Sequence, residues 1–390
     1  MRKKILTMIL AGAVAVTALT GCGGAKKESS TEASQETTKI VNKEAKIEVP
    51  EEVTKGGELN IALTSSPKNL DPVKYTGTYE SQIIYQVCDT VVNYNKELSE
   101  IVPGLATDWK ISDDGMEYTF TIRDDVYFQP GKYQDGRKMT AEDVAYNMNR
   151  SAKESAMNRL DMLDHAEAID DTHVKATLKA PSAVFLTALT NAGNAVVPKE
   201  EVEGWGDEFG NHLVGTGPYA MEKFELDRQT TLKKNDKYFL GEPNLDTVVF
   251  KVITDANQEV NALRTGDVDI ATQLTGETVK LVAEDETVNL LQKPGIQISY
   301  AYFNMKNGPT ADPKVREALI KAVNYEELAA GVFQYGEGES ACLPLPKASW
   351  GYDPAVEADV PAYDPEGAKE LLAEAGYGDG FTLNMYITNE

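Results

Sequence analysis

Ile101 to Arg150 reads IVPGLATDWKISDDGMEYTFTIRDDVYFQPGKYQDGRKMTAEDVAYNMNR. In order it holds a strand, a turn, a second strand, a loop and a helix. Trp109 and Ile111 alternate along the first strand, and Asp113-Asp114-Gly115 makes the reversal, because Asp tolerates turn backbones and Gly supplies a positive φ. Tyr118, Phe120 and Ile122 then alternate with Thr119, Thr121 and Arg123, the period-2 pattern of a strand with one buried face. Thr140 is an N-cap, Asp143 three residues on completes a capping-box-like pair, and Val144 and Met148 follow on one helix face.

These spaced positions resemble the signature region of the family 5 extracellular solute-binding proteins, the oligopeptide- and dipeptide-binding lipoproteins of ABC importers. Members read P-x-L-A-x-x-W, then D-D-G, Y-T-F-x-x-R, D-G and T-A-E-D-V. The matching residues are Pro103, Leu105-Ala106, Trp109, Asp113-Asp114-Gly115, Tyr118-Thr119-Phe120, Arg123, Asp135-Gly136 and Thr140-Ala141-Glu142-Asp143-Val144. Gln129-Pro130-Gly131-Lys132-Tyr133-Gln134 departs from the pattern as a short insertion before the Asp-Gly pair.

A chain of 390 residues can bury a large core and hold two domains, and with 42% hydrophobic and 26% charged residues its composition is that of a folded soluble protein. The net charge of −24 argues against nucleic acid or an anionic membrane surface as a partner of a basic patch. It favours solubility and reads first as a solvated surface, ahead of a mild bias toward neutral or cationic ligands. At the N-terminus, Arg2-Lys3-Lys4 precedes an apolar run from Ile5 to Leu19 that is short for a membrane span. Leu19-Thr20-Gly21-Cys22 matches a bacterial lipobox, so residues 1–21 read as a lipoprotein signal peptide and Cys22 as the lipidated residue. The alternative is an ordinary secretory signal with an incidental Cys. Removing residues 1–21 leaves 35 basic against 62 acidic groups, a net −27. Residues 22–54 are rich in Ser, Thr, Glu and Lys without an aromatic, and read as a flexible tether that cannot bury enough apolar surface to order itself. Cys88, inside an apolar run, and Cys342, far away, are expected to be free thiols.

Past the tether, Glu58 to Leu63 is a strand with Leu59, Ile61 and Leu63 on one face, Ser66 to Pro72 a loop, and Tyr79 to Asp89 a helix. His173 to Leu178 alternates like an edge strand. Gly215-x-Gly217-x-x-Ala220 partly mimics a dinucleotide fingerprint, but strand-like sequence follows it, so it reads as a tight turn feeding a hairpin. Asp246 to Val252 is a strand, Asn257 to Thr265 a helix closed by Gly266, and Val268 and Ile270 begin another strand. Asp312-Pro313 and Asp364-Pro365 each cap a helix, with Pro at the first position, where no N–H is needed. Phe381 to Ile387 reads as a last strand.

His165, His173 and His212 form no His-x-x-x-His pair, no Cys cluster suggests zinc, and there is no Gly-x-Ser-x-Gly elbow or Walker loop. Ser65-x-x-Lys68 nominally fits a Ser-Lys pair, but Pro67 prevents the helix that would align it. Asp113-Asp114 and Asp124-Asp125 lie in turns, where solvation accounts for them. No catalytic residue, metal or cofactor is therefore assigned. Of the 18 Tyr, 10 Phe and 3 Trp, most belong to core or surface.

The resemblance covers Gly56 to Glu390 and implies an α/β, two-lobed fold of the periplasmic-binding-protein type (type II, the large oligopeptide-binding class) with a hinge between lobes. It implies lobe one over 55–297, with an inserted subdomain at about 79–190, and part of lobe two over 298–390. Gln297 to Asn304 resembles the strand that crosses between them. It places Tyr75, Thr76, Gly77, Thr78, Tyr300 and Tyr302 at the ligand cleft. Gly77 there either lets the backbone approach a ligand or merely permits a turn. The implied function is capture of a peptide or related solute outside the cytoplasm, by a monomer anchored through lipid on Cys22, for delivery to an ABC permease and its ATPase subunits. A secreted lipoprotein hydrolase, or a sensory or adhesive lipoprotein, are the rival readings. Since no return crossing follows the strand expected at Phe381 to Ile387, the second lobe is expected to be incomplete.

Overall fold

The computed structural model describes residues 54–387 except 294 and 350. The signal peptide over 1–21, Cys22 and the tether up to residue 53 lie outside the described residues. The chain starts with β1 (Glu58–Leu63), then α1 (Thr78–Val87), and a short hairpin of β2 (Val92–Tyr94) and β3 (Ile101–Pro103). Then come β4 (Ala106–Ile111), β5 (Glu117–Ile122), α2 (Ala141–Glu154), β6 (Leu163–Asp170) and β7 (His173–Leu178). These four strands form one antiparallel sheet in the order β4-β5-β7-β6. After α3 (Phe185–Leu189) and α4 (Lys199–Trp205) come the hairpin β8 (Tyr219–Glu225) and β9 (Gln229–Lys234), β10 (Thr247–Val252), α5 (Ala256–Thr265) and β11 (Ile270–Ala271). With β1 they make a second, mixed sheet, β11-β1-β10-β9-β8, in which β1 runs parallel to both β10 and β11. Helices α6 (Glu277–Ala283), α7 (Pro313–Lys321), α8 (Tyr325–Val332) and α9 (Pro365–Glu374) follow.

Each sheet has its own core. Tyr118, Phe120 and Ile122 of β5 are buried together with Val144 and Met148 of α2 and Val174 and Ala176 of β7. Leu63, Leu70, Ile83, Ile84, Val248 and Phe250 fill the second cluster, around the mixed sheet. The β4–β5 reversal forms as its sequence dictates: Gly115 has φ 70°, and the Asp114 carboxylate accepts from the Ser112 hydroxyl at 2.6 Å and the Met116 amide at 3.0 Å. At the start of α2 the Thr140 amide donates to Asp143 Oδ2 at 2.9 Å, and Asp143 also takes both arms of Arg137 at 2.6 and 2.8 Å. Gly266 ends α5 at φ 78°, and the Asp312 and Asp364 side chains cap α7 and α9. Cys88 is buried, Cys342 exposed, and both are free.

Three expectations need correction. His173 to Leu178 is an interior strand, flanked by β5 and β6. The edge on that side of the sheet is β6, whose sequence LDHAEAID hides its period behind irregularities at Leu163/His165 and Ala168/Asp170. The expected turn at Gly215-Thr216-Gly217 does feed the β8–β9 hairpin, and its glycines are needed for closeness. An added Cβ on Gly215 would run into Val87 O and Cys88 Sγ, and one on Gly217 would lie 2.6 Å from the Val87 carbonyl carbon. Finally, neither Gln297 to Asn304 nor Phe381 to Ile387 is a strand. Alternation makes a strand only where a ladder partner satisfies the backbone, and among the described residues no segment pairs with either.

Candidate functional site

Parallel strands leave their carboxyl ends on one edge of the sheet, and in open α/β sheets ligands bind at that edge. Thr64 follows β1, Thr272 and Gln273 follow β11, and the loop after β1 returns to the same edge to start α1. The side chains there are bonded to one another. Tyr79, in the first turn of α1, donates its phenolic hydrogen to Gln273 Oε1 at 2.5 Å, and since a phenol has only one hydrogen, the Thr64 hydroxyl donates to the Tyr79 oxygen, also at 2.5 Å. Gln273 holds a left-handed backbone at φ 59°, a strained state for a residue with a Cβ and of the kind that clusters at functional sites. Thr272 ties this corner to β1 through its hydroxyl, which donates to Ala62 O at 3.0 Å.

Beside that corner lies the segment expected to meet a ligand. Thr76 and Thr78 are exposed and Gly77 half-buried, and among the described residues the amides of Thr76, Gly77 and Thr78 donate to nothing. They precede the first intrahelical bond of α1, so three N–H groups are left for water or a bound acceptor. Gly77 has φ −111°, extended backbone open to any residue, so a turn does not explain it. An added Cβ would instead lie 2.5 Å from Glu80 Oε2, whose carboxylate folds back and accepts from the Lys68 amide at 2.8 Å.

The expected tyrosines are placed differently from one another. Tyr75 is 6% exposed and turned into the mixed-sheet core, its hydroxyl donating to Asn191 Oδ1 at 2.8 Å. Burial raises its pKa, partly offset by Arg159. Tyr300 and Tyr302 are 58% and 83% exposed and meet each other edge-on, with ring centroids 4.6 Å apart. Among the described residues no hydrogen bond or ring contact joins them to Tyr75–Thr78. Sequence reasoning missed Thr64, Tyr79 and Gln273; the signal for them is their position just beyond a strand or at a helix start. Beneath this corner Glu259 is fully buried. Its Oε1 accepts from the Thr272 amide at 3.2 Å, its Oε2 has no partner among the described residues, and burial pushes its pKa up. Among the described residues no cluster of three or more His, Cys, Asp or Glu is placed to hold a metal, and no helix is long and apolar enough to cross a membrane.

The corner thus brings together backbone amides and hydroxyls that can form hydrogen bonds. The profile of the bacterial extracellular solute-binding proteins, family 5 (middle region), matches residues 100–390, and the chain belongs to that family. It has the mixed α/β fold of the periplasmic dipeptide- and oligopeptide-binding proteins. It is 28% identical over 344 residues to the dipeptide-binding protein of Escherichia coli K12, covering 82% of this chain and 64% of that one. It is 31% identical over 332 residues to heme-binding protein A of Haemophilus influenzae, covering 80% and 60%. Among solved structures it resembles the ABC transporter-associated periplasmic binding protein DppA of Helicobacter pylori in complex with the peptide STSA, with TM-score 0.74 and 28% identity over 84% of this chain and 67% of that one. The chain thus spans somewhat under two thirds of the length of the curated relatives it matches.

Proposed function

We propose that this protein captures a peptide or a related small solute outside the cytoplasm and hands it to an ABC permease with its ATPase subunits. It does so as a monomer held to the membrane by lipid on Cys22. In this reading lobe one spans 55–297 with an inserted subdomain at about 79–190, lobe two begins at 298, and Tyr300 and Tyr302 reach the ligand from the second lobe. The observation that carries the peptide reading is the row of unbonded amides at Thr76–Thr78 beside the Thr64–Tyr79–Gln273 relay. Main-chain donors along an extended segment suit main-chain carbonyls of a peptide, whatever its side chains.

Isothermal titration with the tetrapeptide STSA tests this. Binding at micromolar Kd or tighter is expected, with the peptide recovered intact, and Tyr79→Phe weakens it about fivefold by removing the hydrogen given to Gln273. Peptide cleavage would overturn the binder reading. Hemin is the control ligand, because one relative carries a heme-binding name; a thermal shift with hemin and none with peptides would replace the peptide assignment. Mass spectrometry of the membrane fraction should find a diacylglyceryl-modified Cys22 as the first residue, and an unmodified Cys22 removes the anchor.

A further inference from the structure

The loop that carries Thr76–Thr78 is held from outside its own sheet. The Asp71 carboxylate takes a bidentate pair from Arg150 of α2 at 2.6 and 2.9 Å, both side chains being buried. The Ala156 amide, just past the end of α2, donates to Val73 O at 2.8 Å. Arg159 then makes two contacts with one residue. Its Nη2 donates to Tyr75 O at 2.8 Å, and its guanidinium lies 4.1 Å from the centre of the Tyr75 ring. Room for the arginine comes from Gly193, where an added Cβ would run into Arg159 Cδ.

The carbonyl that Arg159 grips is half of the peptide unit that joins Tyr75 to Thr76. That unit is planar and trans, so its C=O and the Thr76 N–H point in opposite directions. Holding Tyr75 O toward Arg159 therefore fixes the Thr76 N–H facing away from it, at the head of the unbonded row. A planar guanidinium can bond the carbonyl and stack on the ring together, which an ammonium cannot do as well. From this geometry we infer that Arg159 is a positioning residue for ligand binding: it touches no ligand, and it sets the direction of the first main-chain donor in Thr76–Thr78. The inference rests on the proposed role of that segment as the ligand contact.

Arg159→Met, which keeps bulk but loses the donors and charge, tests it in the full chain, with Arg159→Lys as the conservative variant. Without any ligand, hydrogen exchange at the Val73, Lys74 and Tyr75 amides quickens about tenfold or more in Arg159→Met, while exchange in β5 and β7 and the Tm stay near wild type. Unchanged exchange at Val73–Tyr75, or equal loosening throughout the molecule, overturns the inference. STSA then binds about tenfold more weakly to Arg159→Met, with partial recovery in Arg159→Lys. A loosened loop with undiminished STSA affinity also overturns it. If the wild type binds no peptide, the peptide reading falls, and the exchange result alone supports or overturns the anchoring.

Discussion

Two buried side chains show how much a single residue decides here. Glu259 has one oxygen bonded to the Thr272 amide and the other without a partner, and burial holds its pKa above the ordinary 4.5. The folded chain therefore keeps a proton at pH values where the unfolded chain has released it. Stability from this group is complete below about pH 4.5 and is lost as pH rises through the raised folded value. Glu259→Gln, neutral at every pH, should gain in Tm relative to wild type as pH goes from about 4 to about 8. A flat difference over that range would count against the buried-carboxyl account. Gln129 is the second case. The two hydrogens of its amide nitrogen are shared among Val87 O, Gly217 O and Tyr219 O, which lie 2.9 to 3.1 Å away, and its oxygen accepts from the Gly215 amide at 3.2 Å. Gln129→Leu leaves the Gly215 amide without its acceptor and takes a donor from three carbonyls, of which Val87 O keeps the Gly217 amide and Gly217 O the Asn235 side chain, and should cost about 1–3 kcal/mol in urea denaturation. None of this was legible in the sequence, where Gln129 merely opens an insertion, because its partners lie 42 to 90 residues away.

At the scale of elements, legibility followed locality. The β4–β5 hairpin, the Thr140 cap and the capped helices α7 and α9 were readable because turn, period and cap all lie within a few residues. Strand β6 was missed because its apolar period is broken, and 297–304 and 381–387 have the period without the partner. Where an element meets another, the sequence says only that something is small. The bend at Gly215-Thr216-Gly217 brings the β8–β9 hairpin against the end of α1, the Gly217 amide donating to Val87 O at 2.9 Å. Gly217→Ala would press a methyl onto the Val87–Cys88 backbone, which cannot swing aside as a side chain could. Overpacking of this kind costs about 1–3 kcal/mol, and the Tm should fall accordingly. A neutral Gly217→Ala would mean that the hairpin and α1 can separate without loss.

The whole molecule depends on how two cores are joined. Val144 and Met148 of α2 belong to the core of the antiparallel sheet, and Leu70 and Tyr75 flank Asp71 in the core of the mixed sheet. The Arg150–Asp71 pair runs from one to the other, with its side chains only 5% and 1% exposed. Burial works against the arginine's charge, yet the bonds and attraction from Asp71 outweigh it and raise its pKa. A pair 79 residues apart in sequence leaves no local trace, which is why the junction was unreadable while the sheets were not. Desolvation offsets most of what such a pair gains by attraction, so its removal is asymmetric. Arg150→Met leaves a buried carboxylate whose remaining contact is the Val73 amide at 3.3 Å, and should cost about 3–5 kcal/mol. Arg150→Met combined with Asp71→Leu buries no charge and should recover much of that loss. Urea denaturation followed by far-UV circular dichroism measures both. A double variant as unstable as the single one would show that the pair supplies net stability, and a single variant within about 1 kcal/mol of wild type would show that the two cores are joined chiefly by apolar packing.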